Sequence, residues 1–264
     1  MKQYRARLIT TATAVLALLG ALAVPGSAQA LGQYPSGTTG IDISYPSCQL
    51  GHKTTLTGYP FVVAGVSGGS TYTDNKCAAM EAAYAPKNYS LYVNTGLYTG
   101  GGNFQNAMTV GKCSSGDFQC GAYEYGYLAG VHAYQYAVSQ KLGTSTTTWW
   151  LDVEETNTWS GSTSLNVASI QGEYDGLAAN LTIGNTIGIY AVPSQWSKIV
   201  GQDWPTTGHA YPVWAANGFR TSDAPSISQY CSDNAYSVTG GPIYLVQYVV
   251  DYGTKTSLDH DYAC

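Results

Sequence analysis

Trp149-Trp150-Leu151-Asp152-Val153-Glu154 is an apolar run that ends in two carboxylates spaced i, i+2. Side chains on a strand alternate between faces, so Trp150, Asp152 and Glu154 point one way while Leu151 and Val153 point the other. Two acids side by side repel each other, and partial burial raises the cost of ionising both. One pKa is expected to rise and the other to stay low, the division of labour on which glycosidic cleavage depends. A strand end carrying two solvated acids is the plain alternative.

Outward from this segment, short β-type runs recur along the chain. The candidate strands are Gly40–Tyr45, Phe61–Val66, Ser90–Asn94, Trp149–Glu154, Thr186–Val192, Pro212–Ala216, Ile243–Val249 and Leu258–Ala263. The candidate helices are Cys77–Ala85, Gly121–Lys141 and Leu165–Asn180. The second carries Tyr123, Tyr127, Val131, Tyr134 and Val138 at helical spacing, with Gly143 as a stop. Its tyrosines are expected in the core with their polar tips out. The third follows Ser162-Thr163-Ser164, a ready N-cap. Eight strands with helices between several of them predict an α/β fold, an irregular (β/α) barrel of TIM-barrel type. Gly201–Gly208 and Phe219–Gly240 read as loops, so helices are expected to be missing from the C-terminal half. A doubly wound open sheet fits the early β/α alternation almost as well.

Residues 1–30 read as a secretory signal: Lys2, Arg5 and Arg7, an apolar stretch Leu8–Val24, then the cleavage site Ala28-Gln29-Ala30. The apolar stretch is short, and no second span of about 20 apolar residues follows it. A secreted protein is expected, in a bacterial style of export, with one domain over residues 31–264. Beyond the signal, eight basic residues face sixteen acidic ones, a formal charge of −8 (8 − 16). No basic patch exists to hold a phosphate backbone or an anionic lipid surface, so neither nucleic acid nor membrane is an expected partner. A monomer is expected. The six cysteines allow fifteen pairings. The preferred set is Cys113–Cys120, closing a short polar loop, with Cys48–Cys77 and Cys231–Cys264. Zinc-type spacing is lacking and the histidines are scattered, so no metal and no cofactor are expected.

Barrel active sites collect at the C-terminal ends of strands. Acids fall there on three candidate strands: Asp42 in the first, Asp152 and Glu154 in the fourth, and Asp259 in Leu258-Asp259-His260-Asp261. In a closed barrel the first and last strands are neighbours, which would bring Asp42 and Asp259 together. Tyr92, Tyr190 and Trp214 stand at predicted strand ends, where aromatic rings can bind sugar faces. Asn94 and Gln247 are further candidates for substrate contact.

Gly40-Ile41-Asp42-Ile43-Ser44 resembles the opening strand of the family 25 glycoside hydrolases, the Chalaropsis-type lysozymes, and Leu151-Asp152-Val153-Glu154 is similar to their central D-x-E strand. Ile189-Tyr190, Val213-Trp214-Ala215, Gln247-Tyr248 and Asp259-x-Asp261 follow in the same order. Each piece is short, yet the ordered set spans nearly the whole chain beyond the signal. The resemblance implies an irregular β/α barrel with an acidic groove that cleaves the β-1,4 bond between N-acetylmuramic acid and N-acetylglucosamine in peptidoglycan. It implies Glu154 as general acid and Asp152 as the carboxylate that orients the substrate's own 2-acetamido group as nucleophile. Asp42 and Asp259 would tune that pair.

The chain departs from the family pattern at Gly65-Val66-Ser67-Gly68-Gly69, and at Tyr92-Val93-Asn94 with the long insertion up to Cys120. Those strand ends shape sugar subsites, so hydrolysis of another exported glycan, or glycan binding without hydrolysis, are the alternatives. The first departure also satisfies G-x-S-x-G, with Ser67 as a nucleophile and His260 as a base. A nucleophile elbow must feed into a helix, however, and Ser70–Asn75 reads as a turn.

Overall fold

A computed structural model describes residues 34–45, 58–143, 147–205, 208–220, 224–250 and 258–264. The expected signal segment lies outside the described residues. Eight strands close into a barrel in sequence order. They are β1 (Thr39–Ile43), β2 (Val62–Gly65), β3 (Tyr89–Asn94), β4 (Thr148–Val153), β5 (Thr186–Ala191), β6 (Val213–Arg220), β7 (Ile243–Val250) and β8 (Leu258–Ala263). Every candidate strand is present, and closure excludes the open doubly wound sheet.

Seven strands are parallel, whereas β8 runs antiparallel to both β7 and β1. The cause is chain length. Val250 and Leu258 are separated by seven residues, and a parallel crossover needs about a dozen or more.

The helices are α1 (Ala78–Ala82), α2 (Gly102–Val110), α3 (Phe118–Ser139), α4 (Thr163–Ala178), α5 (Pro193–Val200) and α6 (Ala224–Ile227). The three expected helices correspond to α1, α3 and α4; α2 and α5 are additional. Among the described residues between β6 and β7 the chain forms only the four-residue α6 and two short 3-10 turns, so the C-terminal half is thinly covered, as expected. Cys231–Cys264 ties those turns to the last residue, and Cys113–Cys120 joins α2 to α3. Cys77 is disulfide-bonded, and its expected partner Cys48 lies outside the described residues.

Helix α3 begins where the Asp117 carboxylate accepts from the Cys120 N–H at 3.1 Å, an N-cap that satisfies one orphan donor. At α4 the N-cap residue Ser162 makes no side-chain cap bond. The buried face of α3 differs from the expected tyrosine stripe. It consists of Gly121, Ala122, Tyr125, Gly126, Ala129, Gly130, Ala133 and Ala137, while Tyr123, Tyr127 and Tyr134 are only half-buried. Small residues face α4 because the two backbones touch. A Cβ on Gly126 or Gly130 would run into the carbonyls of Ser169 and Glu173, and one on Gly172 or Gly176 into those of Tyr123 and Tyr127.

Inside the barrel Tyr34, Phe61, Trp150, Trp214 and Leu245 fill the lower layer. The outward residues of β3, β4 and β5 form the main core against the helices. The interior is therefore plugged below, and only its upper end is open to carry chemistry.

Candidate active site

Strand parity builds the open end. On β4, Trp149, Leu151 and Val153 join the core under the helices, while Trp150 joins the barrel interior. Asp152 continues that inward face, and Glu154 follows one residue beyond the strand. Register places Asn94, Asp152, Tyr190 and Trp214 in one row across β3 to β6. Across the closing seam Asp42 stands opposite Asp259. Because β8 is reversed, its beginning rather than its end reaches this face, and that reversal brings Asp259 to the mouth. Gly65 leaves the space that Tyr92 fills, since a Cβ there would lie 2.9 Å from the ring. The cleft encloses roughly 170 Å³ and is lined by Asp42, Ser44, Tyr92, Asp152, Glu154, Tyr190, Trp214, Gln247 and Asp259.

Two hydrogen-bonded chains order these groups. In the first, Gln247 Nε2 donates to Asp42 Oδ2 at 2.8 Å, which turns the Gln247 carbonyl toward Tyr190. Tyr190 Oη lies 2.9 Å from that carbonyl oxygen and 3.3 Å from Glu154 Oε1. The phenol's single proton is shared between the two acceptors, so the Glu154 carboxylate gains only weak support from Tyr190.

In the second chain, Asn94 Nδ2 donates to Asp152 Oδ2 at 2.5 Å. Asn94 is itself held by Ser67, which accepts from the Asn94 backbone N–H at 2.7 Å and donates to its Oδ1 at 3.0 Å. Asn157 also braces the segment, donating to the Asp152 carbonyl at 2.9 Å. An amide N–H can only donate, so Asp152 Oδ2 is an obligatory acceptor.

Burial pushes Asp42, Asp152, Glu154 and Asp259 all above the usual carboxylate range. Neighbouring acids add to this, Glu154 beside Asp152 and Asp261 and Asp259 beside Asp42. Among the described residues no Lys or Arg lines the cleft. The expected split, one pKa raised and one low, is therefore not what burial produces, because it acts on both members of the pair. The asymmetry comes from hydrogen-bond strength instead: Asp152 accepts a short bond from the Asn94 amide, whereas Glu154 accepts only longer ones from Tyr190 and Thr156, at 3.3 Å and 3.2 Å. Among the described residues, no group of three His, Cys, Asp or Glu side chains could hold a metal ion.

A family profile described as Lysozyme-like protein 1 matches residues 119–232, which include β4, β5, β6 and Glu154. A probable GH family 25 lysozyme of Dictyostelium discoideum is 38% identical over 92 residues, covering 31% of this chain and 40% of that protein. The chain resembles the family 25 glycoside hydrolases. It spans about two fifths of the length of the curated relative it matches. In structure it is similar to a glycosyl hydrolase 25 of Streptococcus pneumoniae, described as a virulence factor participating in host cell invasion. That likeness has a TM-score of 0.52 and 17% identity and covers 86% of this chain and 87% of the other. At that identity it speaks for the barrel and not for the chemistry.

Against this family 25 frame, Asp42, Asp152, Glu154 and Asp259 share one cleft with Tyr92, Tyr190, Trp214 and Gln247. Asn94 does not line it; its amide is committed to Asp152. Trp214 is 2% exposed and donates its indole N–H to Asp261 at 2.7 Å, so it serves as floor more than as a stacking platform. Ser44 and Asp261 are the residues that sequence reasoning passed over. Both follow from the parity that picked out Asp42 and Asp259, two positions further along each strand. The Ser67 alternative fails on geometry. Its hydroxyl is bonded in both directions by Asn94, and β2 runs into turns before α1 rather than into a helix. His260 alternates away from Asp259 and Asp261, its ring packing against Tyr59 and Tyr248.

Proposed function

We propose that the chain is an exported retaining glycosidase that cleaves a β-1,4 bond in an amino-sugar glycan, with peptidoglycan as the first candidate. The contrast inside one open acid cleft between a firmly held Asp152 and a weakly held Glu154 carries this reading. Asp152 accepts from the Asn94 amide at 2.5 Å, whereas Glu154 accepts from the Tyr190 and Thr156 hydroxyls at 3.3 Å and 3.2 Å, and burial outweighs those two weak bonds. A raised pKa keeps such a group protonated toward neutral pH, as a general acid requires. The export signal and the disulfides support extracytoplasmic action.

In the proposed reaction Glu154 gives its proton to the glycosidic oxygen as the C–O bond breaks. The oxygen of the substrate's 2-acetamido group bonds the anomeric carbon from the opposite face. Asp152, fixed as an acceptor by Asn94, meets the positive charge that develops on the oxazolinium ring. Glu154, now a carboxylate, takes a proton from water as the water oxygen attacks the anomeric carbon and the acetamido bond opens. Two displacements leave the configuration retained, which is a recognised exception to the protein-nucleophile scheme.

Reducing-end release from purified peptidoglycan tests this directly. Glu154→Gln is expected to lower it at least about a hundredfold, and the first-formed product should be the β anomer by NMR. An α product would remove the retaining mechanism. A wild-type protein that binds amino-sugar glycans and releases nothing would instead be a binding protein on this barrel.

A further inference from the structure

A second pocket opens on the same face of the barrel, beside the acid cleft. It encloses roughly 300 Å³ and is lined by Ser70, Thr71, Tyr98, Asn103, Tyr125 and Thr158. Its walls are the three segments that leave β2, β3 and β4, the strands whose ends hold Ser67, Asn94 and Asp152, together with Asn103 at the start of α2 and Tyr125 on α3. One hydrogen bond joins the two sites: Thr71 Oγ1 donates to the Asn94 carbonyl at 3.2 Å, while the Asn94 side chain holds Asp152.

The pocket is built rather than incidental. Leu97 N–H donates to the Thr158 carbonyl at 2.7 Å, locking two walls together. Gly96 allows that approach, since a Cβ would stand 2.8 Å from the same carbonyl and 2.9 Å from Thr71 Oγ1. The third wall contains Tyr72, held at φ 65°, where a bulky residue is strained. Its hydroxyl donates to the Tyr125 carbonyl at 2.5 Å, and its ring packs edge-on against Tyr125 at 5.0 Å. These contacts fix the Ser70–Thr71 rim.

Among the described residues the side chains of Ser70, Tyr98, Asn103 and Thr158 make no hydrogen bond, although all face this space. Tyr98 is 57% exposed and presents its ring at the edge. The lining holds hydroxyls, one amide and aromatic faces. Among the described residues it has no Lys, Arg or His to offset a carboxylate, and it is formed where the chain departs from the family 25 pattern.

We propose that this pocket is a second saccharide subsite that takes an uncharged sugar residue of the same glycan whose scissile bond lies at the acids. An aromatic face and unpaired neutral donors and acceptors match a pyranose ring. A muramic acid residue or a peptide stem would bring a carboxylate that nothing there balances. The assignment rests on the glycosidase reading only in the identity of the glycan.

The test uses the full chain carrying Glu154→Gln, with the N-acetylglucosamine tetramer as probe, by calorimetry and NMR. Tyr98→Ala and Asn103→Ala, both at exposed positions and expected to keep the wild-type circular dichroism spectrum, should each weaken binding roughly threefold to tenfold. Muramyl dipeptide should leave the pocket resonances unmoved. Absence of tetramer binding, affinities unchanged in both variants, or equal binding of muramyl dipeptide in this pocket would each overturn it. If wild type cleaves peptidoglycan while the variants bind as wild type, the subsite alone falls. If wild type cleaves nothing and tetramer binding still depends on Tyr98, the subsite stands and the glycosidase reading falls.

Discussion

Buried carboxyls occur in two places, inside the barrel mouth and outside its wall under the helices. The mouth holds Asp42, Asp152, Glu154 and Asp259, with Asp261 beside them in the barrel interior; the outer layer holds Glu81 on α1 and Glu173 on α4, both fully buried. Burial raises all seven. A perturbed carboxyl therefore does not mark the site by itself. The difference lies in access and in partners. The mouth acids line an open cleft, with Asp42 and Asp152 held by amide donors and Glu154 by the hydroxyls of Tyr190 and Thr156. Glu81 accepts from Asn75 at 2.7 Å in a closed interior, and Glu173 is supported there by the Thr95 hydroxyl.

Substituting one acid from each place separates the two environments most sharply. Glu154→Gln should remove roughly 3 kcal/mol or more of transition-state stabilisation, the energetic equivalent of a hundredfold loss in rate. Its melting temperature should stay at the wild-type value. In the wild type, activity should decline as pH rises through the raised pKa of Glu154, because the general acid loses its proton. A Gln variant that keeps activity, or one that unfolds, would erase the distinction from the outer acids.

Glu81→Gln should do the reverse. Burial lifts Glu81 from 4.5 to about 7. A group raised on folding supports stability fully below its unfolded pKa and loses that support as pH climbs through the folded one. Wild-type stability should therefore decline between about pH 4.5 and pH 7, by roughly 3 kcal/mol from this group alone. The Gln variant should flatten that decline in urea titrations at several pH values, with hydrolysis unaffected. A wild-type profile that is level across this window would place Glu81 among solvated acids.

The outer layer is also where a missing side chain decides the packing. Gly126→Ala puts a methyl into the Ser169 carbonyl on the facing helix. Overpacking should cost about 1–3 kcal/mol, against a gain of up to about 1 kcal/mol in helix propensity. Gly102→Ala on α2, where nothing lies within 4 Å of the added carbon, is the matched control and should be neutral or stabilising. Equal effects at the two positions would mean that α3 and α4 do not touch through their backbones.

This contrast also explains what could be read in the sequence. Strand parity is a period of two carried by apolar bulk, so Trp149–Glu154 and Gly40–Tyr45 disclosed both their faces and their acids. The pairing of Asp42 with Asp259 was legible as well, although by way of adjacency alone. The reversal of β8 was encoded in the seven-residue gap after Val250. Helix α5 was announced by Pro193 at its start and Gly201 at its end, signals that fell between the strand read to Val192 and the loop read from Gly201. Helix α2 had little to show, since it opens on glycines and buries only Phe104 and Ala107. The packed face of α3 was hidden for a deeper reason. Periodicity weighs side chains that are present, and this interface is made by their absence. Asn94 was placed on the correct face and given the wrong partner, because parity gives direction and not what the amide meets there.

The smallest expected effect falls on Ser67, the residue that holds Asn94 behind the acid cleft. Its hydroxyl donates to Asn94 Oδ1 and accepts from Asn94 N–H, and Asn94 in turn holds Asp152. Ser67→Ala removes both bonds and leaves the buried Asn94 amide under-partnered, which should cost about 1–2 kcal/mol of stability. Asp152 keeps its other brace through Asn157, so turnover should fall by no more than about tenfold, with the loss in kcat rather than KM because Asp152 acts on charge that develops in the transition state. A nucleophilic serine would behave differently: its removal would abolish turnover at unchanged stability. Measuring kcat and the urea midpoint on the same variant decides between a strut and a nucleophile. The hydrogen bonds favour the strut, because a hydroxyl bonded in both directions by one asparagine has no base to take its proton.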